Sequence, residues 1–550
     1  MSRSGTSADP WRPPGPLLLV LLILLGSLRI ASTYTVFSAT YDEPAHLACG
    51  LEWLSRGTYR YEPLHPPLAR VAAAIGPYLD GLRSTGQPRM WDEGAALLDR
   101  GDPERTLLLS RLGVLPFFWI ACLVVYRWAR RDLDQAGACL AVLIFSFLPP
   151  VLAHAGLATT DMALTAMLGA AFLAGLSWCE RPDWRSALRF GGALGLALLS
   201  KFSALAFLPV AGAAALLCWW LVERPGPAAT AAAARVRLPG LGLVLAAAFL
   251  TLWAGYRFSF GPLADGAPGL PFPEFFAGLA QVVDHERLGA GSAYLLGAHS
   301  DSGWWWYYLV VLGVKTPLAL FVLLAAAAVL ARRRRLPRGL WLAAAFSGGI
   351  FLFCLANRID LGVRHILPVY LGLSVLAAAA AQALLRGAAA WRPAPWLAGA
   401  ALLGLVLPSI LAHPDYIPYF NPLAGAHPER VLIDSDLDWG QDLKRLARRL
   451  RQAQAANVAF APCMKAEPEV GLPPRVAFDL LNPAPGWNAA RLSVLQLALA
   501  YKNSVRPDLR FWTETIAPQE RIGAGILLWY FPPQATPQPA PGAGTATPGC

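Results

Sequence analysis

The sequence predicts a polytopic α-helical membrane protein of about eleven transmembrane helices, with a small C-terminal α/β domain outside the membrane. Three observations carry this. Of 550 residues, 56% are hydrophobic and only 15% charged, whereas a soluble domain carries about 25% charged residues. The mean hydropathy is +0.44, and the apolar residues fall into blocks close to the roughly 20 residues that cross a bilayer core. Arginines then collect at alternate ends of the blocks, as the positive-inside rule expects.

The spans fall at 16–37, 107–126, 136–152, 161–178, 187–200, 202–222, 240–257, 304–331, 339–356, 366–385 and 395–412. The first block lacks a clear cleavage site and heads a long series of others, so it reads as a span and not only as a signal peptide. The 187–222 stretch reads either as two short spans hinged near Ser200-Lys201 or as one long helix. With residues 1–15 inside, 18 basic residues lie on the cytoplasmic side, from Arg3 and Arg12 to Arg386 and Arg392. Counting only loops shorter than about 60 residues, five lie on the opposite short links and the 258–303 loop with its flank: Lys201, Arg257, Arg287, Arg358 and Arg364. A single helix over 187–222 would invert every later loop, which favours the split.

The remaining segments follow from this orientation. The outer loops are 38–106 and 258–303, and the second runs into Trp304-Trp305-Trp306-Tyr307-Tyr308, an interfacial aromatic run. From 413 to 531 charge rises and apolar runs shorten. Val431–Ile433, Val458–Ala461, Leu492–Leu497 and Ile522–Phe531 read as strands, and Asp442–Ala455 as an amphipathic basic helix. The 532–550 tail of Pro, Ala, Gly and Thr reads as disordered.

Composition also excludes function classes. The formal charge of +11 comes from 41 arginines against five lysines and 35 acids, a bias of GC-rich genomes that points to a bacterial inner (plasma) membrane. The basic residues border apolar blocks and form no basic face on a soluble domain, so no nucleic-acid partner is expected. Eight cysteines include no CxxC pair, which argues against a zinc site or a disulfide framework. A single Cys49–Cys463 bond is not expected. No P-loop, GxGxxG, GxSxG or HExxH pattern occurs.

The candidate chemistry sits at the outer rim. Tyr41-Asp42-Glu43-Pro44-Ala45-His46 follows the first span. Asp42 and Glu43 there are either a catalytic acid pair with raised pKa values or a helix N-cap and first-turn acid. Tyr61-Glu62-Pro63-Leu64-His65-Pro66-Pro67-Leu68-Ala69-Arg70 places Glu62 and His65 on a proline-stiffened loop, or is simply a turn before a helix beginning near Pro67. Asp161 stands at the outer mouth of the fourth span, either as a cap or facing the same cavity as Asp42. Asp42 and Asp161 could share a substrate or a divalent cation. Basic candidates are Lys201, Lys315, Arg358 and Arg364, with Arg29 inside the first span. Lys201 and Arg364 lie on outer links against the charge rule, where they either bind an anionic lipid headgroup or snorkel. Asp434-Ser435-Asp436-Leu437-Asp438-Trp439-Gly440-Gln441-Asp442 has the wrong spacing for an EF-hand, and a turn into a capped helix explains it more simply.

In their order along 16–531, these segments resemble the GT-C glycosyltransferases, in the phospholipid carrier-dependent, family 39-like branch of protein O-mannosyltransferases and aminoarabinose transferases. The motifs that carry the resemblance are Tyr41–His46, His65-Pro66-Pro67-Leu68-Ala69, Ala158-Thr159-Thr160-Asp161, Leu198–Phe202, Arg364-His365-Ile366-Leu367-Pro368 and Asp434–Leu443. His65 stands where aminoarabinose transferases have Lys.

The resemblance implies a GT-C transmembrane domain over 16–412 that transfers a sugar from a polyprenyl-phosphate donor to a glycan, lipid or protein acceptor of the cell envelope. It implies Asp42 as catalytic base, with Glu43 and Asp161 beside it. Glu62, His65, Lys201, Arg364 and His365 would bind substrate. No cofactor is required by these residues, and a divalent metal held by Asp42 and Asp161 remains open. The rival reading is a secondary transporter or lipid-linked sugar flippase, but the sequence shows no internal repeat and its acids lie at the rim rather than the midplane.

Overall fold

The computed structural model describes residues 15–288, 293–387, 392–461 and 471–532. The expected N-terminal segment up to residue 14, Cys463 and the tail from residue 533 lie outside the described residues. Helix α1 (Gly15–Ala31) leaves Leu17, Leu21, Leu24 and Leu28 exposed. Water disfavours such an apolar row, and a bilayer covers it. The first large loop folds into α2 (Glu43–Arg56), α3 (Pro67–Leu79) and α4 (Met90–Asp99). α2 and α3 cross at Gly50, where a Cβ would stand 2.1 Å from the carbonyl oxygen of Arg70. That close approach fixes where Arg70 projects.

The long helices follow. α5 (Pro103–Ala129) starts where Asp102 accepts from the amides of Glu104 and Arg105, with proline at the first position. α6 (Gln135–Ser146) and α7 (Pro149–Ala155) meet at a 69° bend. Pro149 and Pro150 cannot donate to the preceding turn, so the helix breaks there. α8 (Asp161–Glu180) is followed by α9 (Trp184–Ser200), which Asp183 and Ser186 cap reciprocally. α10 (Ala204–Glu223) begins after Lys201 has taken an extended conformation, so the 187–222 stretch is two helices.

α11 (Pro227–Gly255) leads into the second large loop, with hairpin β1 (Phe260–Pro262) and β2 (Gly269–Pro271), helix α12 (Pro273–Leu288), and hairpin β3 (Ala293–Leu295) and β4 (Ala298–Ser300). α13 (Tyr307–Lys315) and α14 (Leu318–Arg332) turn by 106° at Thr316-Pro317. α15 (Trp341–Ala356), α16 (Val369–Leu385) and α17 (Ala394–Leu411) complete the bundle. Its core is dense with aromatic contacts, such as Trp128 against Phe172 and Phe346 at 5.3 and 5.2 Å.

Every expected span overlaps a helix or a bent pair. Six helices among the described residues are long and apolar enough to cross a membrane, or up to eight if each bent pair is one span. α1 and α16 are apolar but shorter. The chain is thus a multi-pass membrane protein with a mixed α/β region at its C-terminal end.

That region holds a five-stranded sheet in the order β6-β5-β7-β9-β8. Its elements are α18 (Leu443–Gln452), β5 (Val458–Phe460), β6 (Arg475–Val476), β7 (Gly486–Arg491), α19 (Leu492–Val505), β8 (Glu520–Ile522) and β9 (Ile526–Phe531). Side chains alternate across the sheet with period two. Val458, Phe460, Ala489 and Leu528 face Leu443, Leu446 and Leu450 of α18. Ala459, Ala490 and Trp529 face Val494 and Leu495 of α19. Burying each α18 leucine stabilises the layer by about 1.5–3 kcal/mol.

Three strand expectations are corrected. Leu492–Leu497 opens α19, because its Leu- and Ala-rich run continues for 14 residues at helical spacing. The adjoining strand is β7, whose sequence Gly-Trp-Asn-Ala-Ala-Arg lacks β-branched residues. Val431–Ile433 is irregular chain between 3-10 turns, its Val431 carbonyl taken by the amide of Leu296 at 3.0 Å. Ile522–Phe531 is split by a turn into the end of β8 and β9.

Candidate active site

The two adjacent acids after α1 have different surroundings. Asp42 precedes α2 but makes no capping hydrogen bond. Its Oδ2 accepts from Arg364 Nη1 at 2.7 Å, and its side chain is 25% exposed. Glu43 is buried. It accepts from Arg111 Nε and Nη2, each at 2.8 Å, from the Thr40 amide at 2.8 Å and from the Ala158 amide at 2.8 Å. Burial would raise the Glu43 pKa, but Arg111 and these amides outweigh it and hold the carboxyl below its ordinary range. Glu43 therefore ties the start of α2 to α5, to the loop after α1 and to the loop before α8, and Asp42 beside it is the acid open to a ligand.

Asp161 opens α8, and Lys201 occupies the break between α9 and α10. Lys201 Nζ donates to Asp161 Oδ1 at 2.7 Å, with Asp161 buried. Arg364 feels both Asp42 and Asp161. Burial would lower its pKa, but the two carboxylates raise it above the ordinary value. Asp42, Arg364, Asp161 and Lys201 thus form one charged cluster drawn from four distant stretches of chain. His154 of α7 borders it and feels Asp161, Arg364 and Lys201. Among the described residues its Nδ1 is buried without a partner, and its ring meets Trp439 edge-on at 6.3 Å.

The C-terminal acidic motif holds Arg364 in place. Asp436 Oδ1 accepts from the amide of Val363 at 3.1 Å. Gly362 has φ +80°, and a Cβ there would stand 2.4 Å from Asp436 Oδ2. The guanidinium of Arg364 lies 4.3 Å from the ring centre of Trp439. Such a contact is worth up to about 2 kcal/mol when desolvated. The Trp439 carbonyl accepts from the amide of Tyr41 at 2.9 Å, and the Gln441 carbonyl from that of Ser38 at 3.0 Å. The 434–442 segment is thereby fastened to the strand-like chain that delivers Asp42.

Its other acids have partners of their own. Asp438 accepts from the Gly440 amide at 3.2 Å and faces Arg491 at 3.5 Å. Asp442 accepts from the amides of Ala524 and Gly525 and pairs with Arg445, while burial pushes its pKa up to about 6.

Glu62 and His65 belong to a second network whose hub is buried Arg70. Arg70 pairs with Glu62 and donates through Nε to His46 Nδ1 at 3.0 Å. His65 Nδ1 lies 3.4 Å from Glu62 Oε2, and its ring meets that of His46 edge-on at 5.5 Å. Burial raises Glu62, but Arg70 and His65 hold it well below the carboxylate range. Burial and Arg70 push His46 well below its ordinary value, so it is neutral. Lys201 acts on His65 and Asp161 on His46, so this network borders the Asp161–Lys201 pair. His365 is packed between Tyr308, stacked at 5.8 Å, and Phe207, edge-on at 5.7 Å, and burial lowers its pKa to about 3. It is a neutral wall of the site.

Of the remaining basic candidates, Arg29 and Lys315 are held by contacts of their own. Arg29 donates to the carbonyl and hydroxyl of Ser409 and lies over Phe147. Lys315 donates to the carbonyls of Ile417 and Asp436. Both read as internal ties. Among the described residues no group of three or more His, Cys, Asp or Glu is placed to hold a metal. Asp42 is paired with Arg364 and Asp161 with Lys201. Sequence reasoning missed Arg111 and His154, and it gave no role to Arg70 and Trp439, although both lie in motifs that it singled out. Arg111 carried a usable signal, as a charge within an apolar span.

Residues 110–257 match the family model described as dolichyl-phosphate-mannose-protein mannosyltransferase. The match includes Asp161 and Lys201, and it relates the chain to glycosyltransferases that use a lipid-phosphate sugar. No curated protein matches the sequence. ArnT from Cupriavidus metallidurans, in a crystal structure with bound undecaprenyl phosphate, is 15% identical, with TM-score 0.48, over 94% of this chain and 99% of ArnT. Its apo structure gives 17% and 0.49 over 93% and 98%. The oligosaccharyltransferase AglB from Archaeoglobus fulgidus gives 14% and 0.47 over 89% and 72%. These values are too low to transfer a residue or an activity.

Proposed function

We propose that this relative of the lipid-phosphate-dependent glycosyltransferases moves a sugar from a polyprenyl-phosphate donor to an acceptor hydroxyl, with Asp42 as general base. The observation that carries the reading is the cluster of Asp42, Arg364, Asp161 and Lys201, in which Arg364 feels both acids and Asp42 is the more exposed. A donor phosphate entering beside Arg364 and Lys201 competes with the carboxylates for these cations. Asp42, released from Arg364, accepts the proton of the acceptor hydroxyl. The hydroxyl oxygen bonds to the anomeric carbon, the bond from that carbon to the phosphate oxygen breaks, and polyprenyl phosphate leaves with its charge met by Arg364 and Lys201. No step requires a nucleotide, and none is routed through a metal.

The lipid carrier stays in the bilayer while its phosphate reaches the rim, which suits a site at helix ends. We place about eleven spans in a bacterial inner membrane, the N-terminus inside, and the site and the 413–531 region outside. The 18-to-5 asymmetry of basic residues supports this orientation. The acceptor is a glycan, lipid or protein of the envelope. Two measurements test the reading. Purified protein should transfer sugar from one member of a panel of polyprenyl-phosphate sugars. Reporter fusions at Pro414 and Pro532 should both report outside; cytoplasmic signals would reverse the orientation.

A further inference from the structure

Among the described residues, two of the cavities between the membrane helices measure about 730 and 400 Å³, and Asp42 lines neither. Both involve the last turns of α8. Ser177, in the smaller one, lies 16 residues from Asp161, or about 24 Å along the helix at 1.5 Å per residue.

The smaller groove runs between α5, α8 and α9 and has two unlike halves. Ile120, Leu123, Val124 and Leu173 form an apolar wall, and Ala170 and Ala174, one helical turn apart, leave the space. At the other end stand Arg127, Arg131 and Arg189. Arg131 pairs with Glu180 at the rim. Among the described residues neither Arg127 nor Arg189 has a carboxylate at ion-pair distance, and Arg189 Nε only donates back to the Arg185 carbonyl at 3.2 Å.

Charge topology alone would scatter arginines along this membrane face. It does not require them to converge on the mouth of an apolar slot between helices. We infer that this groove binds one anionic phospholipid of the bilayer, its phosphate between Arg127 and Arg189 and an acyl chain along the α5–α8 wall. A zwitterionic headgroup brings its own cation and matches the site less well. The carrier polyprenyl phosphate is not the occupant, because the groove lies a helix length from the acid–base cluster. The lipid would brace α8, which carries Asp161, against α5, which carries Arg111, and α9, which leads into Lys201.

The test uses the purified full chain and native mass spectrometry with phosphatidylglycerol or phosphatidylcholine of equal chain length. Wild type should retain one phosphatidylglycerol in preference to phosphatidylcholine. Arg127→Gln with Arg189→Gln should weaken that binding by about tenfold to thirtyfold, at roughly 1 kcal/mol per arginine. Arg332→Gln with Arg333→Gln, on arginines outside the groove, should leave it unchanged. Ala170→Leu with Ala174→Leu, which narrows the apolar half without touching charge, should also weaken it; the arginine pair alone decides if that variant does not fold. Equal retention in wild type and the Arg127/Arg189 variant overturns the inference. So does equal loss in both arginine pairs, which would mark diffuse surface charge, or displacement of phosphatidylglycerol by added polyprenyl phosphate.

Discussion

Replacing Glu43 with Gln should cost stability rather than chemistry. The carboxylate receives Arg111 on both oxygens, and each oxygen also takes a backbone amide, from Ala158 and Thr40. A glutamine offers one acceptor and one donor, so its NH2 must face an N–H of Arg111 and one of those amides. It also leaves the Arg111 guanidinium buried without an anion. Removing one partner of a buried ion pair costs about 3–5 kcal/mol, a large part of the 5–15 kcal/mol that usually separates folded from unfolded chains.

The pH dependence has a definite sign. The folded-state pKa of Glu43 is lowered from its ordinary 4.5. Its contribution is therefore complete above about pH 5 and fades as pH falls through 4.5 towards the folded value. Thermal unfolding in detergent should show a clearly lower Tm for Glu43→Gln at pH 7 and a smaller gap at pH 4. Glu43→Met with Arg111→Met should recover part of the loss, because no unpaired charge remains. Transfer per folded molecule should fall far less than in Asp42→Asn. A Glu43→Gln variant as stable as wild type at pH 7 would refute the assigned role of the pair.

Lys201→Ala and Arg364→Ala should each raise the donor Kd by about tenfold to a hundredfold, the worth of a charge-assisted contact of about 1.5–3 kcal/mol; titration with polyprenyl phosphate checks this, and unchanged binding in both would mean that they only snorkel. Trp439→Leu should weaken donor binding by up to about thirtyfold through loss of the ring under Arg364, measured as donor KM, with little change in Tm. Gly362→Ala should reduce transfer because its Cβ meets Asp436 at 2.4 Å, whereas Gly387→Ala, also at positive φ but with nothing within 4 Å, should leave transfer intact.

Much of the helical architecture was legible because membrane spans announce themselves in composition. A 20-residue apolar run needs no tertiary context, and the Ser200-Lys201 break was visible through charge topology. The C-terminal region was less legible. β7 is built of Trp, Asn and Ala, and α19 begins with a β-like Leu-Ser-Val-Leu run, so both were missed by short-window reasoning. Asp42, Asp161, Lys201 and Arg364 stood out as charges at the rim of apolar blocks. Their pairing did not, since it joins residues up to 322 positions apart. Nor could the sequence divide Asp42 from Glu43, because the partner that buries Glu43 is Arg111, 68 residues on. The Asp434–Asp442 motif read as a turn, and only the fold shows it clasping the Arg364 loop.

The central claim is that Asp42 takes a proton during sugar transfer. Asp42 makes no capping bond in this fold, and Asn keeps its size. The amide oxygen of Asn can still accept from Arg364, which keeps Asp161 and Asp434 nearby, so Asp42→Asn should express and fold with at most a small drop in Tm and still bind polyprenyl phosphate. Its rate of sugar transfer from the polyprenyl-phosphate donor should fall by about 10²–10⁴, the usual cost of losing a general base. A well-folded Asp42→Asn protein that transfers sugar at the wild-type rate would contradict the account and move the search for the base to Asp161 or Glu62.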